Sequence, residues 1–215
     1  MRDIAVTAGT SVNDVFLTAL SLAFRALRSH DGGRRTDISP LSALMPMSVR
    51  KEDQTFTPGN LLVGKRVLLP CHVQAPGRAL EMVHEQTTTS ARSGQRDLLR
   101  GILTGIPSGY GERLVRRVAT PRAAQIIASN VTIPGELSPF GGKVVGTAMF
   151  STVPREIPCY VSLTGHTGTR RLTVVHERDF EACGALPALW LEGLSRLSQA
   201  VGIRDPDTDQ ALGGA

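Results

Sequence analysis

Two polar pairs stand inside otherwise apolar runs of this 215-residue chain, and they are the first residues to question about chemistry. Asn13 and Asp14 follow Ser11 at the head of TSVNDVFLTALSLAFRALR, and Ser129 and Asn130 lie within QIIASNVTIPG. Amide, carboxylate and hydroxyl groups in such settings hold hydrogen bonds, position a substrate or offset developing charge. Ser11 with Asp14 three residues on has the spacing of a capping box, which satisfies first-turn amides and sets an acid at the positive end of the helix dipole. Asn13 is then either a second capping residue or a group with another duty. Ser129 and Asn130, placed before Pro134-Gly135, build a turn or present hydrogen-bonding groups at a cleft, and spacing alone favours the turn.

The other reactive residue types are dispersed. His166 falls in a turn and His176 at a strand end, neither with a triad-like or metal-like partner in its own segment, so each reads as a surface or satisfied histidine. His30-Asp31-Gly32 belongs to a charged, glycine-bearing loop and reads as solvated. Cys71, Cys159 and Cys183 are odd in number and far apart, which argues for a reducing compartment and against zinc. No P-loop, Gly-x-Gly-x-x-Gly, Gly-x-Ser-x-Gly or His-Glu-x-x-His is present. No catalytic residue, metal or cofactor is therefore assigned.

The elements that must position these groups follow from periodicity. Thr10 to Arg28 has apolar residues on nearly every side, the pattern of a helix packed in a core. Ile4 to Val6 before it are a lead-in, the end of a strand or helix. Leu41 to Val49 and Leu61 to Leu69 read as strands, with Pro46 implying an edge or bulge and Gly64 a bulge. Pro76 to Ser93 is an amphipathic helix begun by proline. Arg96 to Ala124 gives two short helices across a Gly/Pro break. The basic face of the second, with Arg113, Arg116 and Arg117, is more simply solvated than laid on an anionic membrane. Gln125 to Val131, Val144 to Phe150, Cys159 to Thr164 and Leu172 to His176 read as strands, with Asp179 a capping residue after the last. Leu186 to Val201 is a closing helix and residues 204–215 a disordered tail. This order suits an α+β two-layer sandwich, a mixed sheet with helices on one face, in one lobe over residues 1–203.

Composition narrows the function class. The net charge is +5, but of the 24 basic residues only Lys51, Lys65 and Lys143 are lysine, and the arginines are spread among acids. With 4% aromatic residues and no binding motif, nucleic acid is not an expected partner. No signal peptide and no membrane-length apolar run appear, so a cytoplasmic location is expected, at most peripheral to the inner membrane.

Five segments together resemble a known family. SVNDV at 11–15, MPMSVR at 45–50, Gly59-Asn60, SNVTIPG at 129–135 and the closing strand run to Asp179 resemble, in order, the C-terminal half of the bacterial wax ester synthase/diacylglycerol acyltransferases. The resemblance implies one lobe of the CoA-dependent acyltransferase, condensation-domain-like fold, two similar lobes around a tunnel. It implies fatty acyl transfer from acyl-CoA to a long-chain alcohol or diacylglycerol, with acyl-CoA a substrate of the complete enzyme. It puts Asn13 and Asp14 near the lobe interface and Ser129 and Asn130 at the tunnel wall. The family's general base, in a His-His-x-x-x-Asp-Gly motif of the N-terminal lobe, has no counterpart in this sequence. The expected partner is accordingly an N-terminal acyltransferase lobe or a second copy, and the chain alone is expected to be inactive. The alternatives are a non-catalytic lipid- or protein-binding module and a truncated pseudo-enzyme.

Overall fold

The structure of the chain, a computed structural model, describes residues 1–30, 38–48, 50, 62–92, 124–153 and 157–203. The Gly59-Asn60 turn, the loop at Asp31-Gly32, the helices expected before residue 124 and the tail from 204 lie outside the described residues. The chain divides into two compact units. A helical unit comprises Met1–Leu41, Leu69–Glu85 and Ala182–Ala215, and a sheet unit comprises Ser42–Leu68 and Gln86–Glu181.

The helical unit is built on α2 (Val12–His30), preceded by α1 (Arg2–Thr7), so the lead-in resolves as a helix. Every residue from Asp14 to Phe24 is buried, as a run with apolar residues on nearly every side requires. The two hydroxyls inside it both find acceptors: Thr18 donates to the Asp14 carbonyl one turn back at 2.7 Å and Ser21 to the Cys71 sulfur at 3.8 Å. Helix α3 (Pro76–Arg92) begins at its proline, and α4 (Leu186–Ala200) closes the unit. Helices α2 and α4 approach closely at Gly193, where a Cβ would sit 2.9 Å from the Ala19 carbonyl oxygen. Phe16 meets Trp190 edge to face, with ring centroids 6.4 Å apart. Ile4, Ala5, Val15, Leu80 and Leu197 form a core cluster that joins α1, α2, α3 and α4.

The sheet unit carries a five-stranded mixed sheet in the order β2-β1-β3-β4-β5. Its strands are β1 (Leu41–Ser48), β2 (Leu62–Leu69), β3 (Ile126–Ile133), β4 (Cys159–His166) and β5 (Thr169–His176). Strand β3 pairs in parallel with β1 and β4, and β5 runs antiparallel to β4. β1 is interior, not an edge; Ala43 and Leu44 pair with Ile126 and Ile127 of β3, and Pro46 lies past these pairs, where its missing N–H costs them nothing. Gly64 stands in an unbroken strand, and its lack of a side chain admits Leu44, whose Cδ1 would be 2.7 Å from a Cβ there. At the edge strand β2 the Gln86 side chain accepts from the Leu68 N–H and donates to its carbonyl, both at 2.9 Å, standing in for a neighbouring strand.

Other expectations also fail in this unit. Residues 144–150 form no strand. Val145 and Phe150 are exposed, and the backbone bond recorded at the start of the segment is local, from the Val144 N–H to the Leu137 carbonyl at 2.9 Å. The turn between β4 and β5 is also tighter than the glycines suggest. Thr167 and Gly168, both with positive φ (44° and 83°), make a two-residue hairpin turn whose twist matches the flanking strands. His166 is thereby the last residue of β4, not a turn residue. Asp179 is the second residue of a 3-10 segment, Arg178–Ala185, and is exposed.

Candidate functional site

The expected candidates fall into separate units, Asn13 and Asp14 in the helical one and Ser129 and Asn130 in the sheet. At the start of α2 the capping box forms with aspartate in the acid position. The Ser11 N–H donates to Asp14 Oδ2 at 3.0 Å, and the Asp14 N–H donates to Ser11 Oγ at 3.1 Å. Asp14 is only 1% exposed, so its carboxylate needs more than one donor. The further one is His84 of α3, whose Nδ1 lies 2.9 Å from the same Oδ2. That bond holds the ring in one orientation while leaving the side chain 39% exposed. Asn13, half-buried, occupies the second helical position, and Ser11 has the capping role.

His84 is the residue that sequence reasoning missed. A histidine on an amphipathic helix carries no local mark, and its partner is seventy residues away in the chain. The available signal was Asp14 itself, because a carboxylate buried on the most apolar helix demands a donor from elsewhere. Beside the pair opens a cavity of about 220 Å³, walled by Ala8, Thr10, Gly77, Leu80, Glu81, His84 and Val201. In its wall the Thr10 hydroxyl is buried with no hydrogen-bond partner. The arrangement provides an oriented imidazole and an unfilled hydroxyl at a largely apolar opening, suited to one small polar group.

In the sheet, Ser129 and Asn130 are mid-strand residues rather than a turn, because β3 runs on through Thr132 and Ile133. Their register partners are Ser162 and Leu163 of β4. Side chains in register share a face, so Ser129, Ser162 and Thr173 make a polar row across three strands. Ser162 donates to the Met149 carbonyl at 3.0 Å, and Ser129 is buried beside it. The row continues along β4 to Thr164 and His166, on the same face by the period of two. The histidine expected to be exposed or satisfied is neither. His166 is 2% exposed and neither ring nitrogen has a partner, as is also true of the Thr164 hydroxyl. His176 is satisfied, its Nδ1 lying 2.9 Å from the Glu177 carbonyl oxygen.

None of the described groups makes an activated nucleophile. All three cysteines are buried, and burial pushes the Cys71 thiol above its ordinary range despite the Ser21 hydrogen bond. Among the described residues no cluster of His, Cys, Asp or Glu suits a metal ion, and no helix is long and apolar enough to cross a membrane. The geometry is that of a supporting surface, with hydrogen-bonding groups set in apolar walls.

Comparison with known proteins assigns the fold. No family model matches the sequence. Among solved structures, the wax ester synthase/diacylglycerol acyltransferase from Marinobacter aquaeolei VT8 superposes with a TM-score of 0.67 at 19% identity, over 94% of this chain and 46% of its own. The epimerization domain of the third module of tyrocidine synthetase B gives 0.57 at 15% identity, over 92% and 44%. The acyl transferase PapA2 gives 0.53 at 12%, over 93% and 41%. The chain has the fold of one lobe of these acyltransferase and condensation-type proteins, corresponding to the C-terminal half of the wax ester synthase, and spans less than half their length.

Proposed function

We propose that this chain is the C-terminal lobe of an acyl-CoA-dependent O-acyltransferase, transferring a fatty acyl group to a long-chain alcohol or diacylglycerol to form wax ester or triacylglycerol. The observation that carries the proposal is the match over nearly the whole chain to one half of a wax ester synthase/diacylglycerol acyltransferase. In the reaction the alcohol oxygen attacks the thioester carbonyl, a C–O bond forms, the C–S bond breaks, and the alcohol proton passes through a base to the departing thiolate. This sequence has no His-His-x-x-x-Asp-Gly, so the base is the partner lobe's contribution. The chain's own part is to shape the acyl tunnel and offer hydrogen bonds to it, with Ser129 and Asn130 in the wall and Asn13, set by the Asp14 capping box, toward the lobe interface. Both substrates partition with lipid, which suits a cytoplasmic enzyme working against the inner membrane.

The test is release of free CoA from palmitoyl-CoA with hexadecanol or diacylglycerol as acceptor. The lone chain is expected to give none, and the chain with an N-terminal lobe carrying the His-His-x-x-x-Asp-Gly motif is expected to turn over. Robust turnover by the lone chain, or none by the pair, overturns the proposal.

A further inference from the structure

In the sheet unit, buried polar groups without partners gather beneath one segment. Neither ring nitrogen of His166 nor the Thr164 hydroxyl has a hydrogen-bond partner, and the two residues are only 2% and 3% exposed. They alternate along β4 and so share a face. Across the antiparallel ladder Thr164 stands opposite Arg171 of β5, which brings that side chain to the same face. Residues 144–150 touch this face at two points. The Met149 carbonyl accepts from Ser162 at 3.0 Å, and a Cβ on Gly146 would sit 3.4 Å from Arg171 Nη2. Between those points is Thr147, whose hydroxyl is likewise buried and unpartnered. Arg171 itself is exposed, so the cluster reaches solvent on its side.

A buried donor left unmet costs more than its hydrogen bond would be worth, so this grouping does not serve stability. The charge around it has one sign. Strands β3, β4 and β5 contain no acid. Between residues 136 and 150 the acid is Glu136, and Lys143 holds it at 3.0 Å. Arg171 has no ion pair among the described residues.

We infer that Arg171, His166, Thr164 and Thr147 form a binding site for the phosphoryl group of a phosphate monoester. Every one of these side chains can donate: an edge of the guanidinium twice, each hydroxyl once and the imidazole once. Together they offer about five donors, more than the roughly four lone-pair sites of a carboxylate. A phosphoryl group presents three strong acceptor oxygens and takes arginine in a two-pronged, charge-assisted contact. The site stands whether or not the chain works as an acyltransferase lobe.

The test is isothermal titration of the full chain with glycerol 3-phosphate, and with acetate as the carboxylate control. Saturable binding of one glycerol 3-phosphate per chain is expected, and no binding of acetate. Arg171→Gln and Thr164→Val should each weaken it at least about tenfold, the loss that follows from removing a charge-assisted or buried hydrogen bond. Arg170→Gln is the control, because Arg170 stands opposite Gly165 and lies against the other face; it should change the affinity by no more than about twofold. Circular dichroism checks that each variant folds, and Thr147→Val, outside the sheet, carries the same expectation should Thr164→Val unfold. Sedimentation with phosphatidylcholine vesicles containing phosphatidic acid separates two sources of the ligand. Pelleting that Arg171→Gln abolishes makes it a lipid headgroup, and binding of glycerol 3-phosphate without pelleting makes it a soluble ester. Binding of neither probe, equal binding of acetate, or equal losses at 170 and 171 overturns the site. A crystal grown with glycerol 3-phosphate that shows only water against Thr164 and His166 does the same.

Discussion

The two units differ in how they treat most of their buried polar groups, the unpartnered Thr10 hydroxyl being the exception in the helical one. In the helical unit the Asp14 carboxylate takes two N–H donors, Thr18 finds a carbonyl, and the Trp190 indole donates to the Phe16 carbonyl at 3.3 Å. In the sheet unit Thr164 and both nitrogens of His166 are buried without partners, while Val145 and Phe150 stand in water. Buried polar atoms without partners and apolar side chains without cover both cost free energy that a self-sufficient domain avoids. Most of the buried polar groups described in the helical unit are met by its own residues, whereas Thr164 and His166 of the sheet unit are not met by any described residue.

That contrast can be broken most severely in the helical unit. Phe16→Ala removes a fully buried ring from the seam with Trp190 and should cost about 3–5 kcal/mol, seen as a lower midpoint in urea unfolding followed by circular dichroism. Asp14→Ala removes the capping box and the acceptor of His84, and about 2 kcal/mol of stability should go with it. The sheet unit should answer with the opposite sign. His166→Leu exchanges an unpartnered buried imidazole for an apolar side chain and should raise stability by about 1 kcal/mol in the same assay. A loss comparable to that of Asp14→Ala would mean that His166 is a satisfied core residue, and the contrast would fail. Smallest of all, Phe140→Asp should leave the stability of the isolated chain within about 0.5 kcal/mol, since the ring is fully exposed.

How far the sequence could be read follows the same division. Helix α2 was legible because its cues are local: a capping-box spacing, then apolar residues in helical order with arginines near the far end. Helices α3 and α4 and strands β4 and β5 were legible for the same reason. Segment 144–150 has the composition of a strand but no ladder to join, and composition carries no information about partners. Ser129 and Asn130 suggested a turn because polar residues before Pro-Gly usually mark one; a strand with Ser162 beside Ser129 tolerates them, and that register lies outside the segment. His84 and His166 share one difficulty. Each owes its character to a distant part of the chain, the first to Asp14 and the second to its burial at the end of β4. Residue types gave the fold class, while the groups most relevant to a site depend on tertiary neighbours.

The seam between α2 and α4 has an optical consequence. Trp190 is the chain's one tryptophan, buried against Phe16 with its indole hydrogen-bonded inside the helical unit. Excited at the red edge of the protein absorption band, the chain emits from that seam alone, and the sheet unit stays dark. Emission therefore follows the opening of one unit, whereas the amide signal averages both. A mismatch between the two melting curves would measure directly how independently the units unfold.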